Sequence, residues 1–194
     1  MIKEGLPCNR DVALLADNSI NGCVFGDVIS TENIVLVGDS HSAHLTFALQ
    51  KYARETKKKI HWLKVGKHGT CEQIPDVAVN KKKPKDDCEQ QFKNLLSYIA
   101  ALDAPVIVAN RWTFKLYPIT NQNIKMPYEN SEGFIEKYEK YREHDVLYNG
   151  SFYRSPDRKR ISLERYVKSL AESSSMLFLI YPIPETGIPV FKSN

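Results

Sequence analysis

The sequence predicts an α/β domain, a flavodoxin-like parallel sheet in three α/β/α layers. Three observations predict it. The apolar runs at 33–37, 104–110 and 176–182 carry almost no polar alternation, as strands covered on both faces do. Segments of helical period separate them. Strands alternating with helices imply a parallel sheet with helices on both faces.

Residues 1–32 read as an irregular lead-in, because polar and turn residues dominate stretches such as "ADNSINGCVFGD". The domain proper is read as 33–194. The run "NIVLV" at 33–37 is its first strand, and Gly38 ends it. A helix is predicted over 42–56, where Leu45, Ala48, Leu49, Tyr52 and Ala53 recur at helical spacing. "KIHWLKV", 59–65, is the second strand, and 66–87 reads as a polar loop. "CEQQFKNLLSYIAAL", 88–102, is a helix with Phe92, Leu95, Leu96, Ile99 and Leu102 on one face. "APVIVAN", 104–110, is the third strand. Residues 111–130 look irregular, and "SEGFIEKYEKYREHD", 131–145, reads as helical. Residues 162–174 form a last helix with Ser162 as its cap. "MLFLIYP", 176–182, is a final buried strand.

A chain of 194 residues fits one domain and buries roughly 70% of its unfolded surface, so metal is not needed for folding. The formal charge of +4 is mild and argues against nucleic acid as the partner. The lysines of 57–59 and 80–85 read as solvated loop or helix ends. No apolar run approaches the roughly 20 residues of a membrane span, and "MIKEGLPCNRD" lacks the apolar stretch of a signal peptide.

The four cysteines, Cys8, Cys23, Cys71 and Cys88, show no CxxC spacing, so a zinc site is not expected. They fall into two sequence-local pairs, which suggests Cys8–Cys23 and Cys71–Cys88. Each bridge closes a polar loop of roughly 15 residues, worth about 3 kcal/mol in the chain-entropy model. Three pairings exist, and four reduced thiols are the alternative. Bridges imply an oxidising compartment.

In an open parallel sheet, ligands bind outside the carboxyl ends of the strands. Gly38-Asp39-Ser40-His41 follows the first strand, "VGKHGTC" the second, and Asn110-Arg111-Trp112 the third. Ser40 falls between strand and helix, where helix N–H groups and dipole favour a developing oxyanion. Gly69 offers a backbone N–H unobstructed by a side chain, and Asn110 a side-chain amide. Taken one at a time, these are equally an N-cap serine, a loop glycine and a strand-end asparagine.

The block "VLVGDSHSAHL" resembles the first block of the SGNH, or GDSL-like, hydrolase superfamily. With His after the serine, it is similar more narrowly to the SGNH domains fused behind acyltransferase-3 membrane domains in bacterial O-antigen and other polysaccharide O-acetyltransferases. "CVFGD", "GTC", "VIVANRW" and "FLIYPIPETGIPV" agree in order over residues 8–190. The resemblance implies Ser40 as nucleophile, Gly69 (with Gly66 as rival) and Asn110 as oxyanion donors, and Asp39 and His41 as motif neighbours without a base role. It implies acyl, chiefly O-acetyl, transfer to a cell-surface carbohydrate, with no cofactor and no metal. The acyl donor is then delivered by a fused or partner membrane acyltransferase domain. The place is the periplasmic face of a bacterial inner membrane, within a longer membrane protein.

The family's base comes from a later Asp-x-x-His block, and no aspartate of this sequence has His three residues on. The expectation is therefore a domain lacking its C-terminal catalytic block and poorly active by itself. His68, in the second-block loop, is the substitute. The alternatives are a carbohydrate esterase, with water as acceptor, or a non-catalytic carbohydrate-binding module using Trp112, Tyr117, Tyr128, Tyr138, Tyr141 and Tyr148. A flavodoxin-like nucleotide site is disfavoured, because GDSH lacks the glycine-rich phosphate turn.

Overall fold

The computed structural model describes residues 12–13, 20–65, 77–79, 88–110, 144–148, 151–153 and 156–180. Its main sheet has six strands in the order β1-β2-β4-β3-β6-β9. They are β1 (Val12–Ala13), β2 (Ile20–Gly26), β3 (Asn33–Gly38), β4 (Lys59–Val65), β6 (Pro105–Ala109) and β9 (Met176–Ile180). The four strands β4, β3, β6 and β9 run parallel, and β2 and β1 add an antiparallel edge. Among the described residues three helices pack on it: α1 (Ser40–Thr56), α2 (Cys88–Leu102) and α3 (Pro156–Ser173). A small antiparallel sheet joins β5 (Val77–Val79), β7 (His144–Tyr148) and β8 (Ser151–Tyr153) in the order β5-β7-β8.

The period of two along a strand divides the core into two layers. Val35, Val37, Leu63, Val106 and Val108 face Phe92, Leu95 and Ile99 of α2 and Tyr166 and Leu170 of α3. On the other face, Ile34, Leu36, Ile60 and Trp62 meet Cys23, Phe25 and Ala53. This is the expected three-layer α/β/α fold.

Helix α1 lies close to the sheet because its buried positions are small: Ser42, Thr46 and Ala53 are all fully buried. At the other end of its run, Gly26 has φ +86°, and a Cβ there would stand 2.6 Å from the Ala53 Cβ. Lys57, at φ 53°, ends the helix, and the Lys58 N–H returns to the Ala53 carbonyl at 2.8 Å. That is the Schellman pattern, here with lysine where glycine is usual.

Several expectations change. Residues 20–26 of the lead-in are a strand, not irregular chain. Its hydrogen bonds go to β4, about forty residues on, and its local signal is blurred by Asn21, Gly22 and Gly26. The loop 66–87 contains β5, and His144–Asp145, placed in a helix, open β7. The last helix starts at Pro156, not Ser162, which is buried within it. Pro156 suits a first helical position, and Asp157 in the first turn complements the dipole. Strand β9 is not buried. It lies at the sheet edge, with Met176, Phe178, Leu179 and Ile180 exposed.

Candidate active site

Strands β3 and β6 are hydrogen-bonded parallel neighbours, with Gly38 opposite Ala109. Their carboxyl ends therefore bring Asp39 and Asn110 to one edge of the sheet. The approach is close enough to exclude any side chain at Gly38. A Cβ there would fall 2.0 Å from the Ala109 carbonyl oxygen and 2.6 Å from the Ser42 Cβ. This is why glycine precedes the Asp39–Ser40 turn.

Ser40 is the first residue of α1. The first N–H groups of a helix have no intrahelical partner, so the backbone around Ser40 offers donors and the positive end of the dipole. The turn that carries it is tied on both sides of Asp39. The Asp39 N–H donates to Asn110 Oδ1 at 3.1 Å. The Asp39 carbonyl accepts the Ser42 N–H at 3.0 Å and the Ser42 hydroxyl at 2.7 Å. Ser42 Oγ in turn accepts the buried Trp62 indole N–H at 2.8 Å. A chain of hydrogen bonds thus runs from β4 through α1 to the turn, and from the turn to the end of β6.

Asn110 is buried, at 3% exposure. With Oδ1 committed to Asp39, its Nδ2 is fully enclosed and makes no hydrogen bond of regular geometry. Tyr166 of α3 is fully buried in the core layer that also holds Val108. Burial, first of all, pushes the Tyr166 hydroxyl well above the ordinary phenol range. The Asn110 side chain opposes that rise, and the Asp39 charge adds to it.

Ser42, Trp62 and Tyr166 were not legible as site residues in the sequence. Only the serine's place two residues after Ser40 hinted at one of them. Gly69, Gly66, His68, Cys8, Cys71 and the ring-bearing Trp112, Tyr117, Tyr128, Tyr138 and Tyr141 lie outside the described residues. His41 lies in the first turn of α1, and Cys88 opens α2. Cys23 is buried and disulfide-bonded, and none of the described cysteines is a free thiol. Among the described residues no cluster of His, Cys, Asp and Glu is arranged to hold a metal ion.

His61 is not part of this edge. Opposite Val35 in the sheet, it sits between Tyr98, whose hydroxyl is 2.9 Å from Nδ1, and Asn33, whose Oδ1 is 3.0 Å from Nε2. Since Asn33 Oδ1 only accepts, the neutral ring carries its proton on Nε2, and Tyr98 donates to Nδ1. Burial and then the Lys59 charge lower its pKa to about 4.

A parallel α/β sheet with a serine at a strand-to-helix turn, and an asparagine tied to that turn from the next strand, defines an SGNH-type domain. The family model described as "SGNH domain (fused to AT3 domains)" matches residues 7–193. The chain belongs to that family, whose activity is of the hydrolase and acyltransferase type. No curated protein and no solved structure matches the chain. The family's description gives its domains as fused to AT3 domains, and no helix among the described residues is long and apolar enough to cross a membrane.

Proposed function

We propose that the domain transfers an acyl group, chiefly acetyl, through Ser40 to a hydroxyl of a cell-surface carbohydrate. The observation that carries this reading is the Asp39 N–H to Asn110 Oδ1 bond, which ties the asparagine amide to the nucleophile turn. In the first half-reaction Ser40 Oγ attacks the acyl carbon and loses its proton to a base, and the donor's leaving group departs with a proton. In the second, the sugar hydroxyl attacks the acyl-serine, gives up its proton, and serine recovers its own. The Ser40 N–H, Asn110 Nδ2 and the Gly69 N–H are the donors for the oxyanion of each tetrahedral intermediate. Water in place of sugar makes the same site an esterase.

No aspartate of residues 1–194 has His three residues on, so an Asp-x-x-His base for Ser40 is not among them. A serine without a base is a weak nucleophile at neutral pH. The 194-residue chain is therefore expected to be nearly inactive toward small acetyl esters. General-base assistance is typically worth ~10²–10⁴-fold, so joining the domain to downstream sequence carrying Asp-x-x-His is expected to raise turnover by that order. Ser40→Ala in the longer protein should abolish it. If the short chain turns over esters well and His68→Ala stops it, the loop supplies the base and the downstream assignment is wrong.

The absence of that block also favours a second reading, a non-catalytic carbohydrate-binding module. Oligosaccharide binding that Ser40→Ala leaves intact, with no acyl transfer from the longer protein, would establish it. Under the leading reading the donor is delivered by the fused membrane domain at the periplasmic face, where the Cys8–Cys23 and Cys71–Cys88 bridges form.

A further inference from the structure

Resting on the reading of the Ser40 N–H as an oxyanion donor, we propose that Ser42 is its positioning residue, held in place by Trp62. Together they fix the Asp39–Ser40 peptide with its carbonyl turned into the protein and its N–H turned out, toward the reacting acyl oxygen. A trans peptide is planar, so its C=O and N–H point in opposite directions. No peptide bond among the described residues is cis. Whatever holds the Asp39 carbonyl therefore also aims the Ser40 N–H. Two bonds hold that carbonyl, from the Ser42 N–H at 3.0 Å and from the Ser42 hydroxyl at 2.7 Å. Both come from further along α1, so the Ser40 N–H points the other way, out of the helix N-terminus.

Trp62 sets where the Ser42 proton goes. An indole N–H only donates and a backbone carbonyl only accepts. With Trp62 Nε1 at 2.8 Å from Ser42 Oγ, the hydroxyl accepts there, and its single proton is left for the Asp39 carbonyl. The donors run one way, from Trp62 to Ser42 to Asp39, and hydrogen bonds in such a chain polarise one another. A carbonyl that accepts two bonds makes the N–H at the other end of its peptide a stronger donor. A serine bonded to the carbonyl three residues back is common in proteins. Here a buried indole enforces it, and the carbonyl belongs to the peptide of the nucleophile itself. The parts are also fixed in place. Trp62 is buried on β4, with Cys23 of β2 and Leu36 of β3 as its neighbours across the sheet. Ser42 is fully buried and so close to the turn that a Cβ on Gly38 would stand 2.6 Å from its own.

The test has a structural and a chemical arm, both on the 194-residue chain. In the wild type, hydrogen exchange followed by NMR should find the Trp62 indole proton strongly protected and the Ser40 N–H exchanging fast, as an outward amide does. A Ser40 N–H as protected as the amides in the middle of α1 overturns the proposal whether or not any variant folds. The chemical arm follows Ser40 acylation by an activated acetyl ester, read by peptide mass mapping. Ser42→Ala should lower the maximal rate on the order of 10-fold, a fraction of the ~10²–10³-fold that removal of an oxyanion donor costs. The ester concentration for half-saturation should not change. Trp62→Phe, which leaves the Ser42 hydroxyl in place, should lower the rate by a smaller factor. In a Ser42→Ala background, Trp62→Phe should have no further effect. An undiminished effect there means that Trp62 acts through packing alone, and overturns the proposal. If wild-type Ser40 is acylated and Ser42→Ala matches its maximal rate, this proposal is wrong while the acyl-transfer reading stands. If wild-type Ser40 is not acylated at all, the acyl-transfer reading falls and this proposal with it.

Discussion

At the scale of single residues, two buried hydrogen-bonded side chains make opposite demands on pH and on substitution. His61 is neutral in the fold, with its pKa lowered to about 4 from an ordinary 6.5 by burial and Lys59. Below pH 6.5 the unfolded chain takes up a proton that the folded chain refuses. Stability therefore falls as pH drops from about 6.5 to about 4 and is fully present above that window. After discounting for partial solvent screening, the loss is on the order of 1–2 kcal/mol. Urea titrations at pH 7, 5.5 and 4 should show it, and His61→Gln should flatten the slope; an equal slope in the variant would assign it to other groups. Ser42 makes its demand through Trp62. Ser42→Ala leaves the buried indole N–H without its acceptor, which costs about 1–3 kcal/mol. It also removes one of the two bonds on the Asp39 carbonyl. An unfolding midpoint unchanged by that substitution would contradict the hydrogen-bond chain described above.

Among the elements, those governed by local pattern were legible and those governed by distant partners were not. The run Ile34–Val37 announced β3 because a strand buried on both faces needs apolar residues at every position. Asn110 could be assigned to the edge of Ser40 because parallel strands share a carboxyl end. By contrast, β2 is defined by β4, and its glycines and asparagine conceal it locally. The exposure of β9 was illegible because an apolar strand reads the same in the centre of a sheet and at its edge. Ser42 and Trp62 are twenty residues apart and meet only once the sheet forms. Cys23 belongs to this scale too. It is buried on β2 and disulfide-bonded, so the bridge ties that strand to another part of the chain. Non-reducing peptide mapping should recover Cys8–Cys23 and Cys71–Cys88. Cys23→Ser should lower stability by about 2–4 kcal/mol. A cross-pairing such as Cys23–Cys71, or free thiols in protein from an oxidising compartment, would overturn the assignment.

For the molecule as a whole, the architecture concentrates its polar specificity at one edge. The β3 and β6 ends carry Asp39, Ser40 and Asn110, and α1 starts there. The helix faces beneath that edge are buried, α1 through Ser42, Thr46 and Ala53 and α3 through Tyr166 and Leu170, so the turn is held on a rigid support rather than on a free loop. Beyond β6 the sheet closes on β9, whose apolar side chains are half exposed, a strand edge suited to cover by further chain or a partner. The central claim is that this edge presents Ser40 as a nucleophile to an acyl carbon. The measurement that tests it most directly is mass-spectrometric mapping of the chain after incubation with an activated acetyl ester. The account predicts slow, stoichiometric acetylation at Ser40, absent in Ser40→Ala and slowed ~10²–10³-fold in Asn110→Ala. An unmodified Ser40, or acetyl groups only on lysines and elsewhere at equal rates in wild type and Ser40→Ala, would contradict it.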